Sequence, residues 1–479
     1  FFFSSRKMMK WAPSFSAAGV AIIGIALASM VPTTVAFMTK AYVSARIAAK
    51  STSEEDSFDL TLPFGPALSA AETFLELAEA SKTYSIDYPD YYGSAKPDRR
   101  PWLADFEARV ASDLGKEAGV FLPSGTMAQL IVLCCAQKIK LGGARIPALP
   151  AIRRPFFAHP SSHLLLWEQE SHARLLNIPC LPVGRPSRPL RSTDLAPEMD
   201  AAMDAMSSAP PCAVILEVPH RELGGAMTSW DEIKTMRALC DAHDVHFHMD
   251  GARLWEAMPY FAAQGVDCHE LCAQFDSVYV SFYKGLGGMT GAMLVGSQEL
   301  VDEARVWLRR FGGNLFTLLP YAVSDMRAYD KRSHSFEERW GFAKAFARAI
   351  KAAAAQHPGA SSRVLVGPRN DDDDDDDADG KSNGNGGRGG DENHATLEPT
   401  CSLMHVHLKG AVEDLEHARD QAAVLTRLKV FGALRPSPTS GWFYFEWNIG
   451  EVNGAVAPSE VERAWSCFFQ SLTAQSTDR

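Results

Sequence analysis

The stretch that decides the fold is Val278-Tyr279-Val280-Ser281-Phe282-Tyr283-Lys284-Gly285-Leu286-Gly287-Gly288. Its first half is rich in β-branched and aromatic residues, which predicts a buried strand over 277–281. The strand leads into a glycine-rich loop, and Lys284 stands at the junction. Desolvation at such a position favours the neutral amine, which is the form that a lysine needs to make a Schiff base. A lysine that extends its amine to solvent from a strand end is an equal alternative.

Further apolar strands are predicted on both sides of this stretch, and helices alternate with them. The predicted strands cover residues 119–122, 213–217, 245–249 and 292–296. The predicted helices cover residues 102–115, ending at Gly115, then 125 to about 137 and 229–243. Apolar strands that alternate with helices indicate an α/β fold with a mostly parallel sheet covered on both faces.

The chain is long enough for more than one domain, and its ends differ from its middle. Residues 1–55 are predicted to be a targeting leader, residues 56–330 a large domain with an N-terminal segment, and residues 331–479 a small C-terminal domain. The last of these has strand and helix patterns in alternation at 400–408, 411–430, 442–449 and 459–471, which indicates an α+β unit.

The leader carries basic residues before an apolar stretch at 17–31 and small residues at 34–36. This is the order of a signal peptide, and the stretch is short for a membrane span, which needs about 20 residues. The basic, acid-free segment that follows makes the whole similar to the bipartite leaders of algae with complex plastids. We therefore expect an organelle, such as a complex plastid, or the endomembrane system. An uncleaved membrane anchor is the alternative.

Composition excludes some classes of function. The net charge at pH 7 is −11, but Asp371–Asp377 and Asp379 supply eight negative charges, which leaves −3 for the rest of the chain. Such a body gives no electrostatic case for nucleic-acid binding. The acidic run lies in a low-complexity insertion, 367–394, which is predicted to be a disordered loop, with an acidic metal-binding segment as the alternative. The nine dispersed cysteines favour neither a disulfide framework nor a zinc cluster.

Three other stretches carry candidate chemistry. Ser124, Gly125 and Thr126 stand between a predicted strand and helix, where they would either bind an anion or only cap the helix. Asp250 follows His246-Phe247-His248 and lies at the carboxyl end of the predicted strand 245–249, where open sheets bind ligands. A metal site at these side chains is a minor alternative, because no further ligand follows at a suitable spacing. A third stretch holds three histidines, of which one could stack on a ring-shaped cofactor: His159, His163 and His172.

Taken in order, these motifs resemble the threonine aldolase / aromatic amino acid beta-eliminating lyase family, whose members use pyridoxal 5'-phosphate (PLP) and have fold type I. The residues that carry the resemblance are Asp90–Gly93, Leu114–Ala118, Pro123–Met127, Glu217–His220 with Gly224-Gly225, Asp250–Trp255 and Lys284–Gly287. The resemblance implies a mostly parallel, seven-stranded sheet between helices, followed by a small C-terminal α+β domain. It also implies a homodimer or homotetramer.

The resemblance assigns roles to individual residues. Lys284 would hold PLP covalently, Asp250 would pair with its pyridine nitrogen and Arg253 would lie near its phenolic oxygen. Ser124, Gly125 and Thr126 would bind its phosphate. His163 would stack on the ring and take part in catalysis, because Glu168 follows it at the family's spacing. Tyr92, His220 and Arg221 are substrate candidates, and no metal is implied.

The implied reaction is cleavage of a β-hydroxy-α-amino acid to glycine and an aldehyde, in amino acid metabolism. The chain departs from the family where many members carry an arginine that would bind the substrate carboxylate, since Phe316 stands there, and Tyr283 replaces the usual serine. Arg221 is the predicted substitute, because a carboxylate favours an arginine partner, and a surface arginine without this role is an equal alternative. β-Elimination or another PLP reaction on a different amino acid, and a non-catalytic protein that retains the cofactor, are the alternatives.

Overall fold

The computed structural model describes residues 57–64, 68–92, 102–141, 144–147, 153–206, 209–368 and 398–477. The predicted leader and nearly all of the acidic insertion lie outside these residues, so both remain predictions. Within the described part of the chain, no helix combines the length and apolarity that a membrane crossing requires.

A seven-stranded sheet forms the centre of the larger part, as the resemblance implies. Its strands lie side by side in the order β2, β10, β9, β8, β7, β5, β6. Only β10 runs antiparallel to its neighbours. The strands are β2 (Ala118–Leu122), β5 (Phe156–Ala158), β6 (Cys180–Pro182), β7 (Ala213–Glu217), β8 (His246–Gly251), β9 (Ser277–Ser281) and β10 (Ala292–Gly296).

Helices cover the sheet on both faces, and this explains why its central strands are largely apolar. Every residue of β7, β9 and β10 is buried. The helices around this sheet are α1 (Ala70–Thr83), α2 (Trp102–Asp113), α3 (Gly125–Cys135), α4 (His163–Leu166), α5 (Ser171–Leu176), α6 (Ser192–Ala205), α7 (Trp230–His243), α8 (Leu254–Ala262), α9 (Cys268–Ala273), α10 (Gln298–Arg310) and α11 (Leu319–Arg332). A separate hairpin pairs β3 (Lys138–Leu141) with β4 (Ala144–Pro147).

A second apolar core lies in the C-terminal part. It packs an antiparallel four-stranded sheet, in the order β11, β12, β15, β14, against three helices. The described N-terminal strand β1 joins this core, because it pairs in parallel with β13 and buries Phe58 and Leu60 there. These elements are β1 (Phe58–Asp59), β11 (Val364–Val366), β12 (Leu403–Lys409), β13 (Leu428–Lys429), β14 (Arg435–Pro436), β15 (Trp442–Asn448), α12 (Phe336–Ala355), α13 (Val412–Thr426) and α14 (Pro458–Thr477).

The topology places the carboxyl ends of most strands at one edge of the larger sheet. β2, β5, β6, β7, β8 and β9 all run in the same direction, so their carboxyl ends meet at that edge. The residues that end or follow these strands include Ser124, Glu217, Asp250 and Lys284. Residues from four distant parts of the sequence are therefore neighbours at one edge, which is where open sheets of this kind bind ligands.

Candidate active site

The Ser124–Thr126 stretch forms the N-terminus of α3. The Ser124 side chain caps the helix by accepting a hydrogen bond of 3.3 Å from the backbone N–H of Met127. Gly125 is pressed against the phenol of Tyr279, and any Cβ at this position would overlap the Tyr279 hydroxyl. Ser124 therefore caps the helix, as one of the two interpretations of the sequence predicts. The N–H groups of the first helical turn still offer a site for an anion.

Asp250 is buried at the end of β8 and has two hydrogen-bond donors. Gln129 Nε2 donates to its Oδ2 at 2.5 Å, and the backbone N–H of Ala252 donates to its Oδ1 at 3.1 Å. Burial, reinforced by the negative charge of Glu217, raises the pKa of Asp250 to about 7. A cationic ligand next to Asp250 would stabilise the ionised form of this buried carboxyl group.

The two histidines earlier on β8 do not join Asp250. The Ser277 hydroxyl lies 2.7 Å from His246 Nε2 and 2.7 Å from His248 Nδ1, and burial lowers the pKa of His248 to about 3. Within the described residues, no group of three or more His, Cys, Asp or Glu side chains is arranged to hold a metal ion.

Lys284 follows β9 and is partly buried. Burial lowers its pKa, and the positive charge of Arg253 adds to the effect, whereas the carboxylates of Asp250, Glu217 and Glu256 oppose it. The lowered pKa favours the neutral amine, as the strand-end position predicts. Arg253 lines the same cavity as Lys284.

His163 opens α4 and is held at both its backbone and its ring. Its backbone N–H donates to Glu217 Oε2 at 3.1 Å, and its Nδ1 lies 3.2 Å from Glu168 Oε1. The hydrogen bond with Glu168 raises the pKa of His163 even though burial opposes the change, and the charges of Asp250 and Lys284 also act on it. His163 therefore belongs to the same cluster as Asp250 and Lys284.

Glu217 is a site residue to which the sequence assigned no role, although it lies in a quoted motif. It ends β7 and accepts backbone N–H groups from His163 and, at 2.9 Å, from Arg221. Burial by itself would raise the pKa of Glu217, but His220 and these backbone donors bring it below its usual value. An ionised Glu217 thus orients the loop that carries His163.

The other two histidines of that stretch have contacts elsewhere. His159 Nε2 lies 2.8 Å from the carbonyl oxygen of Arg185, and His172 Nδ1 lies 2.8 Å from that of Ile178. His159 also packs edge-on against His220, whose Nε2 lies 3.1 Å from the Ser161 hydroxyl.

Arg253 is buried between two carboxylates and an amide. Its Nη1 donates to Glu256 at 3.0 Å and to Asn448 Oδ1 at 2.6 Å, and its Nη2 donates to Glu446 at 2.9 Å. Burial opposes the charge, but Glu256 and Glu446 together raise the pKa of Arg253. Glu446 and Asn448 belong to β15, and the sequence held no local signal that they would reach this site.

The substrate candidates lie in different surroundings. Arg221 pairs with Glu222 at 2.6 Å and with Glu446 at 2.7 Å, and its guanidinium lies over the ring of Trp167.

Tyr92 is exposed. Its backbone N–H donates to the carbonyl oxygen of Phe316 at 2.8 Å, and its ring meets the Phe316 ring edge-on at 5.4 Å. In the described part of the chain these contacts join Tyr92 to Phe316 and not to Lys284. The roles of Tyr92, His220 and Arg221 remain predictions.

The polar groups of this cluster match the groups of PLP that a binding site has to hold. Arg253 Nε and Gln129 Oε1 are buried and have no hydrogen-bond partner among the described residues, so polar groups remain for a ligand. Asp250 could hold the pyridine nitrogen, Lys284 the aldehyde carbon and Arg253 Nε the phenolic oxygen. The N-terminus of α3 could bind the phosphate.

Comparison with known proteins agrees with this geometry. Aldolase vrtJ of Penicillium aethiopicum is 33% identical over 219 residues, 45% of this chain and 51% of its own length. Alanine racemase TOXG of Cochliobolus carbonum is 30% identical over 214 residues, 44% of this chain and 50% of its own length. The chain thus spans about half the length of these curated relatives.

A crystal structure from Listeria monocytogenes, of a protein provisionally described as an L-allo-threonine aldolase, matches with 26% identity and a TM-score of 0.67. The match covers 91% of this chain and 99% of that one. The model of the beta-eliminating lyase family matches residues 91–366, more than half of the chain and the part that carries Ser124, His163, Asp250 and Lys284. On this match, the chain belongs to the beta-eliminating lyase family.

Proposed function

We propose that the protein is a PLP-dependent lyase that cleaves the Cα–Cβ bond of a β-hydroxy-α-amino acid, releasing glycine and an aldehyde. The observation that carries the proposal is the meeting of Lys284, Asp250 and His163 with the N-terminus of α3 at one edge of the sheet. Further support comes from the aldolase and the L-allo-threonine aldolase among the similar proteins. When bound, PLP supplies an electron sink for the negative charge that develops at the substrate Cα.

The protein's own residues have distinct tasks in this proposal. Lys284 offers a neutral amine, because burial lowers its pKa. Asp250 would keep the pyridine nitrogen of PLP protonated, and Gln129 orients the Asp250 carboxylate. His163 would stack on the cofactor ring. Glu168 holds the Nδ1 atom of His163, which would leave Nε2 to accept the proton of the β-hydroxyl group of the substrate.

Absorbance and product analysis test the proposal together. The purified, PLP-supplemented protein should show the visible band of lysine-bound PLP, and Lys284→Ala should abolish it. Lys116→Ala is the matched control, because Lys116 is also largely buried with a lowered pKa but precedes β2 at the opposite edge of the sheet. This control should keep the band. A protein without the band would contradict the proposal.

The products separate the possible reactions. An aldolase should release an aldehyde from threonine or phenylserine, whereas β-elimination should yield ammonia and a keto acid. If the band is present but no amino acid perturbs it, a non-catalytic role is favoured. The racemase among the relatives is a reason to include alanine in the panel of amino acids.

We also propose that the protein is a homodimer or homotetramer. Exposed apolar side chains support this, because patches of this kind often mark interfaces. They include Tyr92, Tyr283, Met289, Leu315 and Phe316. Light scattering of the purified protein would measure the state, and a monomer would contradict the proposal. Targeting to an organelle or the endomembrane system by residues 1–55 is likewise proposed, and a fluorescent fusion of that segment would test it.

A further inference from the structure

We propose that Arg339 binds the α-carboxylate of the amino-acid substrate, an inference that rests on the proposed function above. None of the motifs quoted in the sequence analysis includes this residue. It lies on α12, outside the stretches that carry the family resemblance and 55 positions after Lys284 in the numbering of the chain.

Arg339 and Lys284 line the same cavity. It has a volume of about 360 Å³. Other side chains that line it are Phe64, Arg253, Glu256, Tyr283 and Asn448. A substrate whose amino group takes the place of the Lys284 amine would therefore have its other substituents in a space that the Arg339 guanidinium also borders.

Arg339 is buried but only partly satisfied. The residue is 2% exposed, and its Nη1 donates to the carbonyl oxygen of Gly285 at 2.6 Å. Its Nε and Nη2 are buried and have no hydrogen-bond partner in the described part of the chain. Leaving charged donors buried without a partner is costly, so these two groups indicate a ligand with acceptor oxygens.

The geometry of the unused donors matches a carboxylate. Nε and Nη2 form one edge of the planar guanidinium, and their two N–H bonds point the same way, as bidentate binding of a carboxylate requires. The one bond that Arg339 makes, from Nη1 to Gly285, holds the group beside the residue that follows Lys284. The rings of Phe336 and Phe64, whose centroids lie 4.6 Å and 5.8 Å from its Cζ, restrict the guanidinium further.

Two of the carboxylates that act on Arg339 are already paired with other cations, and a third, that of Glu338, belongs to an exposed residue. Glu256 pairs with Arg253 at 3.0 Å, and Glu451 pairs with Arg332 at 2.7 Å and with Lys331 at 3.0 Å. Burial lowers the pKa of Arg339 to about 10, which still leaves it cationic at neutral pH.

The other candidate for the carboxylate is less available. Arg221 holds Glu222 and Glu446 and lies over Trp167. At the position where many family members carry an arginine, this chain has Phe316, which contacts Tyr91 and Tyr92. Arg339 would thus supply the cation that Phe316 cannot.

The test compares two ligands that differ only in the carboxylate. Threonine and 1-amino-2-propanol are titrated into the PLP-loaded protein, and the change in cofactor absorbance gives each Kd. Arg339→Met should weaken threonine binding about 100-fold, because it removes a bidentate, charge-assisted contact worth about 2–3 kcal/mol. It should leave the Kd of the amino alcohol within about twofold. Arg339→Lys keeps the positive charge but cannot donate two parallel hydrogen bonds to a carboxylate. It should therefore weaken the binding of threonine about 10-fold.

Stability and a matched arginine provide the controls. Because two donors of Arg339 are unsatisfied, Arg339→Met should not lower the melting temperature of the ligand-free protein, whereas a purely structural arginine would. Arg332 is similarly buried, but it is paired with Glu451 and donates to the Leu286 carbonyl oxygen at 2.9 Å. Arg332→Met should therefore lower stability and keep the preference for threonine.

The outcomes separate this inference from the proposed function. If Arg339→Met and Arg339→Lys both keep the preference for threonine, Arg339 does not bind the carboxylate. Loss of the preference in Arg221→Met instead would assign the role to Arg221. If the wild-type protein binds PLP but responds to no amino acid, both the proposed function and this inference are wrong.

Discussion

At the scale of single residues, Asp250 shows how an environment can prepare a side chain for a ligand. It is enclosed by the sheet, close to Glu217, and its two hydrogen-bond donors are Gln129 and the backbone of Ala252. These donors orient the carboxylate but do not offset its burial, because its pKa still rises to about 7. A protonated pyridine nitrogen would supply the missing positive charge, so cofactor binding should offset the free-energy cost of burying an ionised Asp250.

Replacing Asp250 with asparagine tests this interpretation. The folded-state pKa of about 7 lies above the usual value of 3.8, so the fold loses stability from this group as the pH rises from 3.8 through 7. Cofactor-free Asp250→Asn should therefore gain melting temperature relative to the wild type, and the gain should be larger at pH 8 than at pH 5.

The same variant should bind PLP more weakly, because it lacks the charge that pairs with the ring nitrogen. Thermal melts at the two pH values and a titration with PLP measure both effects. An equal difference in melting temperature at pH 5 and pH 8 would show that Asp250 is ionised in the cofactor-free fold.

At the scale of elements, the N-terminus of α3 needs both a capping side chain and a residue without a Cβ. Ser124 caps the helix, and Gly125 gives the room that Tyr279 needs beneath it. The helix therefore begins at the carboxyl end of β2 with its first N–H groups at the edge of the sheet. A side chain at position 125 would push the helix away from Tyr279 and move the proposed phosphate site.

Gly125→Ala is expected to lower the free energy of unfolding by about 1–3 kcal/mol through overpacking and to weaken PLP binding at least 10-fold. Gly341→Ala is the matched control. Gly341 lies inside α12 with open space around it, so alanine there should stabilise the protein by about 0.5–1 kcal/mol. Urea denaturation and PLP titration of both variants give the comparison. Unchanged PLP affinity in Gly125→Ala would argue against a phosphate site at this helix end.

At the scale of the whole molecule, Arg253 joins the two cores. It stands directly before α8, beside the larger sheet, and its guanidinium reaches Glu446 and Asn448 on β15 of the smaller sheet. Burial would raise the pKa of Glu446, but Arg253 and Arg221 overcome this and lower it to about 2. The ion pair therefore holds the smaller sheet against Arg253, which lines the same cavity as Lys284.

Glu446→Gln should lower the free energy of unfolding at pH 7 by about 3–5 kcal/mol, because it removes one partner of a buried pair. A depressed pKa stabilises the fold above the usual value of 4.5, and this contribution is lost as the pH falls towards 2. The difference between variant and wild type should thus shrink between pH 7 and pH 3.

Glu79→Gln is the control for this prediction, since Glu79 pairs with Lys82 at an exposed position and should change stability by less than about 0.5 kcal/mol. Urea denaturation at each pH measures the effect. A cost for Glu446→Gln that stays the same from pH 7 to pH 3 would contradict the lowered pKa of Glu446.

Much of the framework could be predicted from local sequence. The strands at 213–217, 277–281 and 292–296 lie where the apolar runs predict them, because strands buried on both faces are largely apolar. Helix ends were less certain. The helix predicted to end at Gly115 ends at Asp113, and Gly115 follows in a left-handed conformation. β5 and β6, with three residues each, are too short to give a pattern.

The sequence by itself determined the longer strands of the sheet, the order of the motifs and the identity of Lys284 and Asp250 as candidates, because burial and strand ends leave local patterns. Only the tertiary structure decided which side chains surround them. Gln129 meets Asp250 across 121 positions, and Glu446 meets Arg253 across 193. The unused donors of Arg339 beside Lys284 are likewise visible only when α12 is packed in place. Such contacts depend on how distant elements pack, and no local periodicity records that.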